Sequence, residues 1–293
     1  MKLAAIDIGT NAARLLIAAV QQTNNHIQFQ KLAYYRVPLR LGEEVFDKGK
    51  ISSQKALHFQ QTIQAFSLLA QAHEVSALRA VATSAMREAS NGKKIAKQIW
   101  QDTGVQIDII SGDEEAQLIF NSFEILQLQK QQQFVVLDVG GGSTEISIFE
   151  HGQKVAARSF ELGTIRILKG KTDPQSWSEF SAWIQQNVRL DEAHMIFGTG
   201  GNINRALKML APKQKDTLTL PALVDLHDTL AALPLEARCA QYQLKPDRAD
   251  VIVPALKIYI TALEALDQQT LLVPKIGLSD GVIYQLFLQH TNL

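Results

Sequence analysis

Three consecutive glycines follow an aspartate at the end of an apolar stretch, in the sequence LDVGGGSTEISIF. Glycine permits positive φ and close approach of the main chain, so a glycine turn can point several backbone N–H groups at one anion. The two hydroxyl residues after the glycines would add side-chain donors. The loop is therefore a candidate phosphate site, with the contacts Gly140, Gly141, Gly142, Ser143 and Thr144.

Two carboxylates flank this loop, Asp138 before it and Glu145 after it. Both would repel a phosphate group. The repulsion is removed if a Mg²⁺ ion lies between carboxylate and phosphate, which is a common arrangement for this ion. The sequence therefore predicts Mg²⁺ as the cofactor, with Asp138 and Glu145 as its ligands.

A similar loop occurs 131 positions earlier, in IDIGTNAARLLI, where Asp7 corresponds to Asp138. Its candidate phosphate contacts are Gly9, Thr10 and Asn11. The alternative explanation is that the glycines only permit a tight hairpin. That alternative explains one loop as well as ligand binding does, but two matching loops at half-chain spacing favour a binding function.

A third glycine sequence, IFGTGGNINRAL, places Gly200, Gly201 and Asn202 between a predicted strand and a predicted helix. The N–H groups at the start of a helix attract anions, so these residues join the candidate phosphate contacts. Their spacing matches neither the dinucleotide-binding fingerprint nor the lysine-bearing P-loop.

The segment SGDEEAQLIF supplies a candidate general base. Ser111 and Glu114 have the spacing of a capping box, in which each side chain bonds the backbone of the other. The capping box makes no demand on Glu115, which is therefore free to act on a water molecule. The alternative is that Glu115 only interacts favourably with the helix dipole.

The segment ATSAMREAS places Arg87 after a predicted strand. Arg87 could hold a phosphate with its fork of N–H donors. The sequence does not decide whether Arg166 and Arg248 reach the same site.

The elements that would position these groups occur twice along the chain. Each half follows the order β-β-β-α-β-α, with an extra strand and further helices. The predicted strands cover 2–8, 13–20, 26–35, 75–82, 105–110, 133–139, 144–150, 154–161, 193–197 and 270–274. The main predicted helices cover 52–73, 112–128, 175–188, 202–210, 248–266 and 279–290.

This repetition predicts a duplicated α/β unit, with the two copies facing each other across a cleft. The first domain would span 1–128 and the second 129–278. The glutamine-rich QLQKQQQ marks their border, and the closing helix 279–293 could pack back on the first domain.

Composition limits the partners of the chain. Hydrophobic residues make up 46% of the 293 residues, enough for a full core, and the zero net charge argues against a general nucleic-acid or membrane-surface binder. The single cysteine excludes a disulfide framework and fits a reducing compartment. Polar residues interrupt the first apolar run, and no run approaches the roughly 20 residues of a membrane span. We therefore predict a cytoplasmic protein, without nucleic-acid or membrane partners, for which a homodimer is compatible with the sequence.

The motifs in their order resemble those of the exopolyphosphatase/guanosine pentaphosphate phosphohydrolase family. That family has the fold of the acetate kinase–sugar kinase–Hsp70–actin superfamily. The resemblance covers nearly the whole chain and rests on IDIGTNAARLLI, VATSAMREASNG, IISGDEEAQLIF, VVLDVGGGSTEISI, ELGTIR, GTGGNI, RADVIVPA and GLSDGVIY. It implies an α/β protein of two actin-like (ribonuclease H-like) domains with phosphate groups bound in the interdomain cleft.

The resemblance also implies residue roles and an activity. Glu115 would activate water, Asp138 and Glu145 would bind Mg²⁺, and Arg87 would bind phosphate. The implied reaction is hydrolysis of the terminal phosphoanhydride bonds of inorganic polyphosphate, with release of orthophosphate. Two alternatives stay open: a guanosine pentaphosphate 5'-phosphohydrolase, and an actin- or Hsp70-like nucleotide-binding regulator without this hydrolase role.

The chain departs from the family pattern at several positions. Thr10 stands where serine is frequent, Asn202 replaces the threonine of the usual GTGGT, and Ala255 follows the proline that glycine usually follows. The usual GLREG is GLSDG here, with Asp280 and without the basic residue. Longer members also carry C-terminal helical domains that extend a polyanion channel, and this sequence ends without them. These differences predict a preference for short or medium polyphosphate.

Overall fold

The computed structural model describes residues 1–23, 26–126, 133–151, 153–188, 195–211 and 216–291. The chain divides into two compact units, Met1–Leu128 with Ile276–Leu293, and Gln129–Lys275. Each unit contains one mixed β-sheet with helices packed against it. The segment predicted as the border, QLQKQQQ, lies outside the described residues except for Gln133.

The described residues of the first unit form a five-stranded sheet of order β3-β2-β1-β4-β5. Strands β1, β2 and β3 pair antiparallel, whereas β1, β4 and β5 pair parallel. The elements are β1 (Lys2–Ile8), β2 (Ala12–Thr23), β3 (His26–Pro38), α1 (Leu41–Lys48), α2 (Ser53–Ala72), β4 (Ala77–Ala82), α3 (Ser84–Glu88), α4 (Gly92–Thr103), β5 (Ile107–Ile109) and α5 (Gly112–Phe123), followed by a 3₁₀ turn at Glu124–Leu126.

The second unit forms a six-stranded sheet of order β10-β11-β9-β6-β7-β8 within its described residues. The elements are β6 (Phe134–Val139), β7 (Thr144–Glu150), β8 (Gln153–Phe160), α6 (Thr164–Leu168), α7 (Gln175–Asn187), β9 (Met195–Thr199), α8 (Gly201–Leu210), β10 (Thr217–Thr219), α9 (Leu220–Ala231), α10 (Leu235–Tyr242), α11 (Pro246–Ala249), α12 (Ile252–Ala265) and β11 (Thr270–Leu272). The closing helix α13 (Leu278–Thr291) belongs to the first unit, where it packs against α5 and β1.

The two sheets share a core of five strands, in the order β3-β2-β1-β4-β5 in the first unit and β8-β7-β6-β9-β11 in the second. In each core the first three strands along the chain pair antiparallel, and the other two continue the sheet parallel to the first strand. In the second unit β10 pairs antiparallel with β11 at the edge of the sheet. This is the ribonuclease H-like arrangement of actin-like domains. The predicted fold class, two such domains of the acetate kinase–sugar kinase–Hsp70–actin superfamily, is confirmed.

The apolar patterns of the sequence account for the core of the first unit. Strand β1 is buried from Leu3 to Ile8, and Asp7 is the one polar residue in that range. Such a continuous buried run is typical of a strand covered on both faces of the sheet. Helix α2 begins after Ser52, whose hydroxyl accepts the N–H of Lys55 and so caps the start of the helix predicted over 52–73.

Two predicted helices were too long. The helix predicted over 112–128 ends as an α-helix at Phe123. The helix predicted over 248–266 is two helices, because α11 ends at Ala249 and α12 begins at Ile252. A continuous helix would place Pro254 in its interior, where the ring clashes with the carbonyl four residues earlier. In α12, Pro254 lies in the first turn, which tolerates it.

None of the helices in the described part of the chain combines the length and the apolar character needed to cross a membrane.

Candidate active site

The glycine turn of the second unit joins β6 to β7. The N–H of Gly140 donates to the carbonyl of Ser143 at 2.9 Å and closes the turn. Among the described residues, the N–H groups of Gly141, Gly142 and Ser143 donate to no protein acceptor. Three consecutive N–H groups are therefore available to an anion.

The carbonyl oxygens of this turn are all bonded on its other side. They accept hydrogen bonds from the start of α6 and from one arginine, in the pairs Thr164 N–H to Gly140 at 3.1 Å, Ile165 N–H to Gly141 at 2.8 Å and Arg166 Nε to Gly142 at 2.8 Å. The turn therefore presents donors and not acceptors to a ligand. Arg166 is buried, and its side chain holds the backbone of the loop.

The first unit repeats this design between β1 and β2. The N–H of Gly9 donates to the carbonyl of Ala12 at 3.1 Å, with the same three-residue offset as in the second loop. The start of α1 holds the loop carbonyls, because Gly42 N–H donates to Thr10 at 3.1 Å and Arg40 N–H donates to Asn11 at 2.9 Å. Thr10 is buried, and within the described chain its N–H donates to no protein acceptor.

The two loops differ in the charge opposite the aspartate. In the first unit, Asp7 lies opposite Arg14 on β2, and Arg14 Nη1 donates to its carboxylate at 2.6 Å. In the second unit, Asp138 lies opposite Glu145 on β7. Directly opposite residues of an antiparallel pair share one face of the sheet, so two carboxylates meet where the first unit has an ion pair.

Each of these two carboxylates accepts a hydrogen bond from a neighbouring strand. Ser159 Oγ on β8 donates to Glu145 at 2.8 Å, and Thr199 Oγ1 on β9 donates to Asp138. The buried hydroxyl of Tyr259 in turn donates to the carbonyl of Thr199. Burial and the nearby Asp138 raise the pKa of Tyr259 well above its ordinary value, so Tyr259 stays a neutral donor.

The acidic pair fits a magnesium ion. No group of three or more His, Cys, Asp or Glu side chains suited to a metal occurs in the described part of the chain. Mg²⁺ does not need such a group, because it usually takes one or two protein carboxylates and completes its shell with substrate phosphates and water. Asp138 and Glu145 supply that number of carboxylates beside the free N–H groups of the loop.

The third glycine segment starts helix α8. Gly200 has φ of 106°, a conformation that favours glycine, and a Cβ there would lie 3.0 Å from the carbonyl of Val139. Asn202 is 9% exposed, and its side-chain oxygen has no hydrogen-bond partner among the described residues. Because buried polar atoms are normally bonded, Asn202 is a candidate ligand contact. The guanidinium of Arg248 lies against Gly201, where a Cβ would be 2.4 Å from its Nη1.

The candidate base lies in the first unit beside the candidate phosphate-binding arginine. Glu115 is 7% exposed, and its Oε2 is 3.7 Å from Arg87 Nη1. Arg87 also donates to the carbonyl of Ile110 at 2.8 Å, which fixes its side chain at the end of β5. The structure thus brings Arg87 and Glu115 together.

One expectation about this helix was wrong in part. The hydroxyl of Ser111 accepts the N–H of Glu114 at 3.1 Å, as a capping box requires. The side chain of Glu114 does not return the bond but pairs with Arg79 Nη2 at 2.9 Å. Arg79, on strand β4, binds the Glu114 carboxylate in place of the backbone at the start of the helix. A local sequence motif carries no information about this contact between distant segments.

Sequence reasoning missed several residues of the site. Arg14 follows Asp7 by seven positions, as Glu145 follows Asp138, so an alignment of the two repeats would have identified it. Tyr259 and Ser159 come from segments without a motif, and no sequence signal indicated them.

The structure and its relatives place the chain in a class. The fold is that of the actin-like superfamily, and a model of the Ppx/GppA phosphatase family matches residues 17–290. The chain belongs to this family of phosphatases and is therefore a hydrolase.

Individual relatives support this membership. The bifunctional 3-dehydroquinate synthase/phosphatase of Fusobacterium nucleatum is 32% identical over 174 residues, which are 56% of this chain and 25% of that protein. Exopolyphosphatase 1 of Mycobacterium tuberculosis is 25% identical over 303 aligned residues, covering 97% of this chain and 87% of that protein. The crystal structure of an exopolyphosphatase from Cytophaga hutchinsonii shares the fold, with a TM-score of 0.83, 22% identity and coverage of 100% and 99% of the two chains.

The start of α1 binds the carbonyl oxygens of the first loop, and ion pairs with Glu43 stabilise this start in turn. Arg40 adopts φ of 50°, and its Nε donates to Glu43 at 2.7 Å. Lys55 Nζ donates to Glu43 at 3.1 Å and to the carbonyls of Leu39 and Arg40. Burial raises the pKa of Glu43, but the bonds from Arg40 and Lys55 outweigh it and lower that pKa below its ordinary value.

This network predicts a pH-dependent stability. A carboxyl whose pKa falls on folding adds stability above its unfolded pKa and loses it as pH falls through the folded pKa. Wild type should therefore exceed Glu43→Gln in urea midpoint at neutral pH, and the difference should shrink as the pH falls through the acid range below the ordinary glutamate pKa. Glu74→Gln, at an exposed position, is the control. If the difference in urea midpoint between wild type and Glu43→Gln stays constant across that pH range, the ion pairs do not lower the pKa of Glu43.

Proposed function

We propose that the protein removes the terminal phosphate of inorganic polyphosphate by Mg²⁺-dependent hydrolysis. The observation that carries the proposal is the pair of opposed carboxylates, Asp138 and Glu145, beside a loop with unused N–H groups. The duplicated loop of the first unit neutralises its aspartate with Arg14 instead. A cation held by these two carboxylates would neutralise them beside the anion-binding loop.

The first unit supplies the groups that act on water. Glu115 is buried and can accept a proton from a water molecule as that water attacks phosphorus. Arg87 lies beside it, orients the carboxylate and offers its remaining donors to phosphate oxygens. Breaking the phosphoanhydride bond releases orthophosphate and a polyphosphate shortened by one unit.

The second unit supplies charge stabilisation. The N–H groups of Gly141, Gly142 and Ser143 can hold phosphate oxygens, and Asp138 and Glu145 would hold the metal. When bound, Mg²⁺ neutralises charge on the phosphate groups. Most of the rate enhancement in phosphoryl transfer comes from such positioning and charge stabilisation, and preorganised donors provide it without reorganisation in the transition state.

The choice of substrate rests on the relatives. Proteins named exopolyphosphatases align with nearly the whole of this chain, which supports inorganic polyphosphate. Guanosine pentaphosphate is the alternative substrate, and it shares the terminal phosphoanhydride chemistry. The preference for short chains, the cytoplasmic location, the homodimer and the absence of nucleic-acid and membrane partners stay predictions from the sequence.

Replacement of the candidate base gives the first test. Glu115→Gln keeps the size of the side chain but cannot accept the proton, and loss of a general base typically lowers the rate by about 10² to 10⁴. We expect kcat for phosphate release from polyphosphate to fall by that factor while substrate binding survives. Glu114→Gln makes the same charge change one residue away, at an exposed position paired with Arg79, and should keep kcat near wild type. A Glu115→Gln variant with more than half the wild-type kcat would exclude Glu115 as the base.

Replacement of the candidate metal ligand gives the second test. Asp138→Asn removes a charge but little volume. The Mg²⁺ concentration for half-maximal activity should rise about tenfold or more, since even the loss of an outer-shell partner typically costs that much affinity. Direct titration of Mg²⁺ by calorimetry should show the same loss without turnover. Glu150→Gln, at the far end of β7, is the control. An Asp138→Asn variant with an unchanged Mg²⁺ titration would remove Asp138 from the metal site.

A further inference from the structure

A groove of about 430 Å³ lies between helix α4 and the edge strand β5 of the first unit. Its volume is within the range of small-ligand pockets, roughly 300–1,000 Å³. None of its lining residues takes part in the proposed hydrolysis. The ones that matter here are Lys93, Ala96, Lys97, Trp100, Ile107 and Ile109.

One face of α4 supplies the polar wall. Positions 93, 96, 97 and 100 follow the spacing of residues that share a helix face. Lys93 and Lys97 are exposed, and the large apolar side chain of Trp100 is 52% exposed. The helix therefore presents two ammonium groups and an indole ring along one line.

The charged groups that line the groove are both lysines. Lys93 lies in the first turn of α4, which carries no acidic residue. The N-terminus of a helix is already positive, so a lysine there is unfavourable for the free helix and favourable for a bound anion. The nearby carboxylate of Asp108 is paired with Arg79. The groove is therefore suited to an anionic ligand.

Apart from Gln106, the remaining lining is apolar. Ile107 and Ile109 of β5 form the floor with Ala96, and the indole of Trp100 borders them. Ala96 and Ile107 are buried in the core of the unit, so the exposed apolar surface is chiefly the indole of Trp100, which a phosphate chain alone would leave in water. A planar heteroaromatic ring would cover the indole by stacking on it.

We propose that this groove binds a nucleotide, with its base on Trp100 and its phosphates at Lys97 and Lys93. Lys93 and Trp100 are seven positions apart, about 10 Å along the helix axis, a length that an extended nucleoside polyphosphate can bridge. A peptide that added a strand to the sheet would find only the three residues of β5 as a template. The single aromatic platform likewise fits one base better than a run of nucleic acid.

The test uses ATP in the absence of divalent cations, with the full chain. Stacking of adenine on Trp100 should quench tryptophan fluorescence, and Trp100→Phe should remove that quenching while the signals of Trp177 and Trp183 remain. Lys97→Ala should weaken ATP binding about three- to fivefold, the effect of one exposed ion pair. Lys94→Ala removes the same charge from the same helix outside the groove and should leave the affinity unchanged.

Three results would overturn the proposal. Equal quenching by ATP in wild type and Trp100→Phe would place the nucleotide away from this groove. Equal affinities of Lys97→Ala and Lys94→Ala would show that the phosphates do not reach Lys97. Tripolyphosphate that binds as tightly as ATP, with no change in Trp100→Phe, would make the groove a site for inorganic phosphate chains. Circular dichroism melting of each variant confirms folding, and the exposure of all three side chains makes their replacement tolerable.

Discussion

In each unit, N–H groups at the start of a short helix hold the carbonyl oxygens of a glycine-containing turn, and the candidate anion site of that unit depends on these bonds. Each bond contributes only about 1 kcal/mol net, but together they decide which side of the turn faces a ligand. In the second unit the fit leaves no space for a side chain at Gly163, where a Cβ would lie 2.2 Å from the carbonyl carbon of Gly142. A turn that faced a phosphate with its carbonyls would repel it.

The duplicated scaffold carries different chemistry in its two copies. The same turn, the same backing helix and the same cross-strand position occur in both, yet Arg14 in one copy corresponds to Glu145 in the other. Like charges directly opposite each other on a sheet are destabilising, whereas the ion pair of the first copy has no such repulsion. This asymmetry is the reason that we propose a cation at the acidic pair of the second copy.

Much of the fold and the two glycine loops could be predicted from the sequence, because short local patterns of residues determine them. The bounds of β7, the N-cap of α2 and the two matching loops follow from apolar runs, a serine and glycines. Helices α1 and α6 were missed because neither has a side-chain cap to mark its start. The pairing of Glu114 with Arg79 and the reach of Tyr259 to Thr199 join distant segments, and local patterns carry no information about such contacts.

The central claim is that the protein releases orthophosphate from the end of a polyphosphate chain. The most direct measurement compares kcat/KM for phosphate release from polyphosphate of defined length, guanosine pentaphosphate and ATP, with one preparation and saturating Mg²⁺. We expect the highest value for polyphosphate and the lowest for ATP. A higher value for guanosine pentaphosphate than for polyphosphate of every length would contradict it.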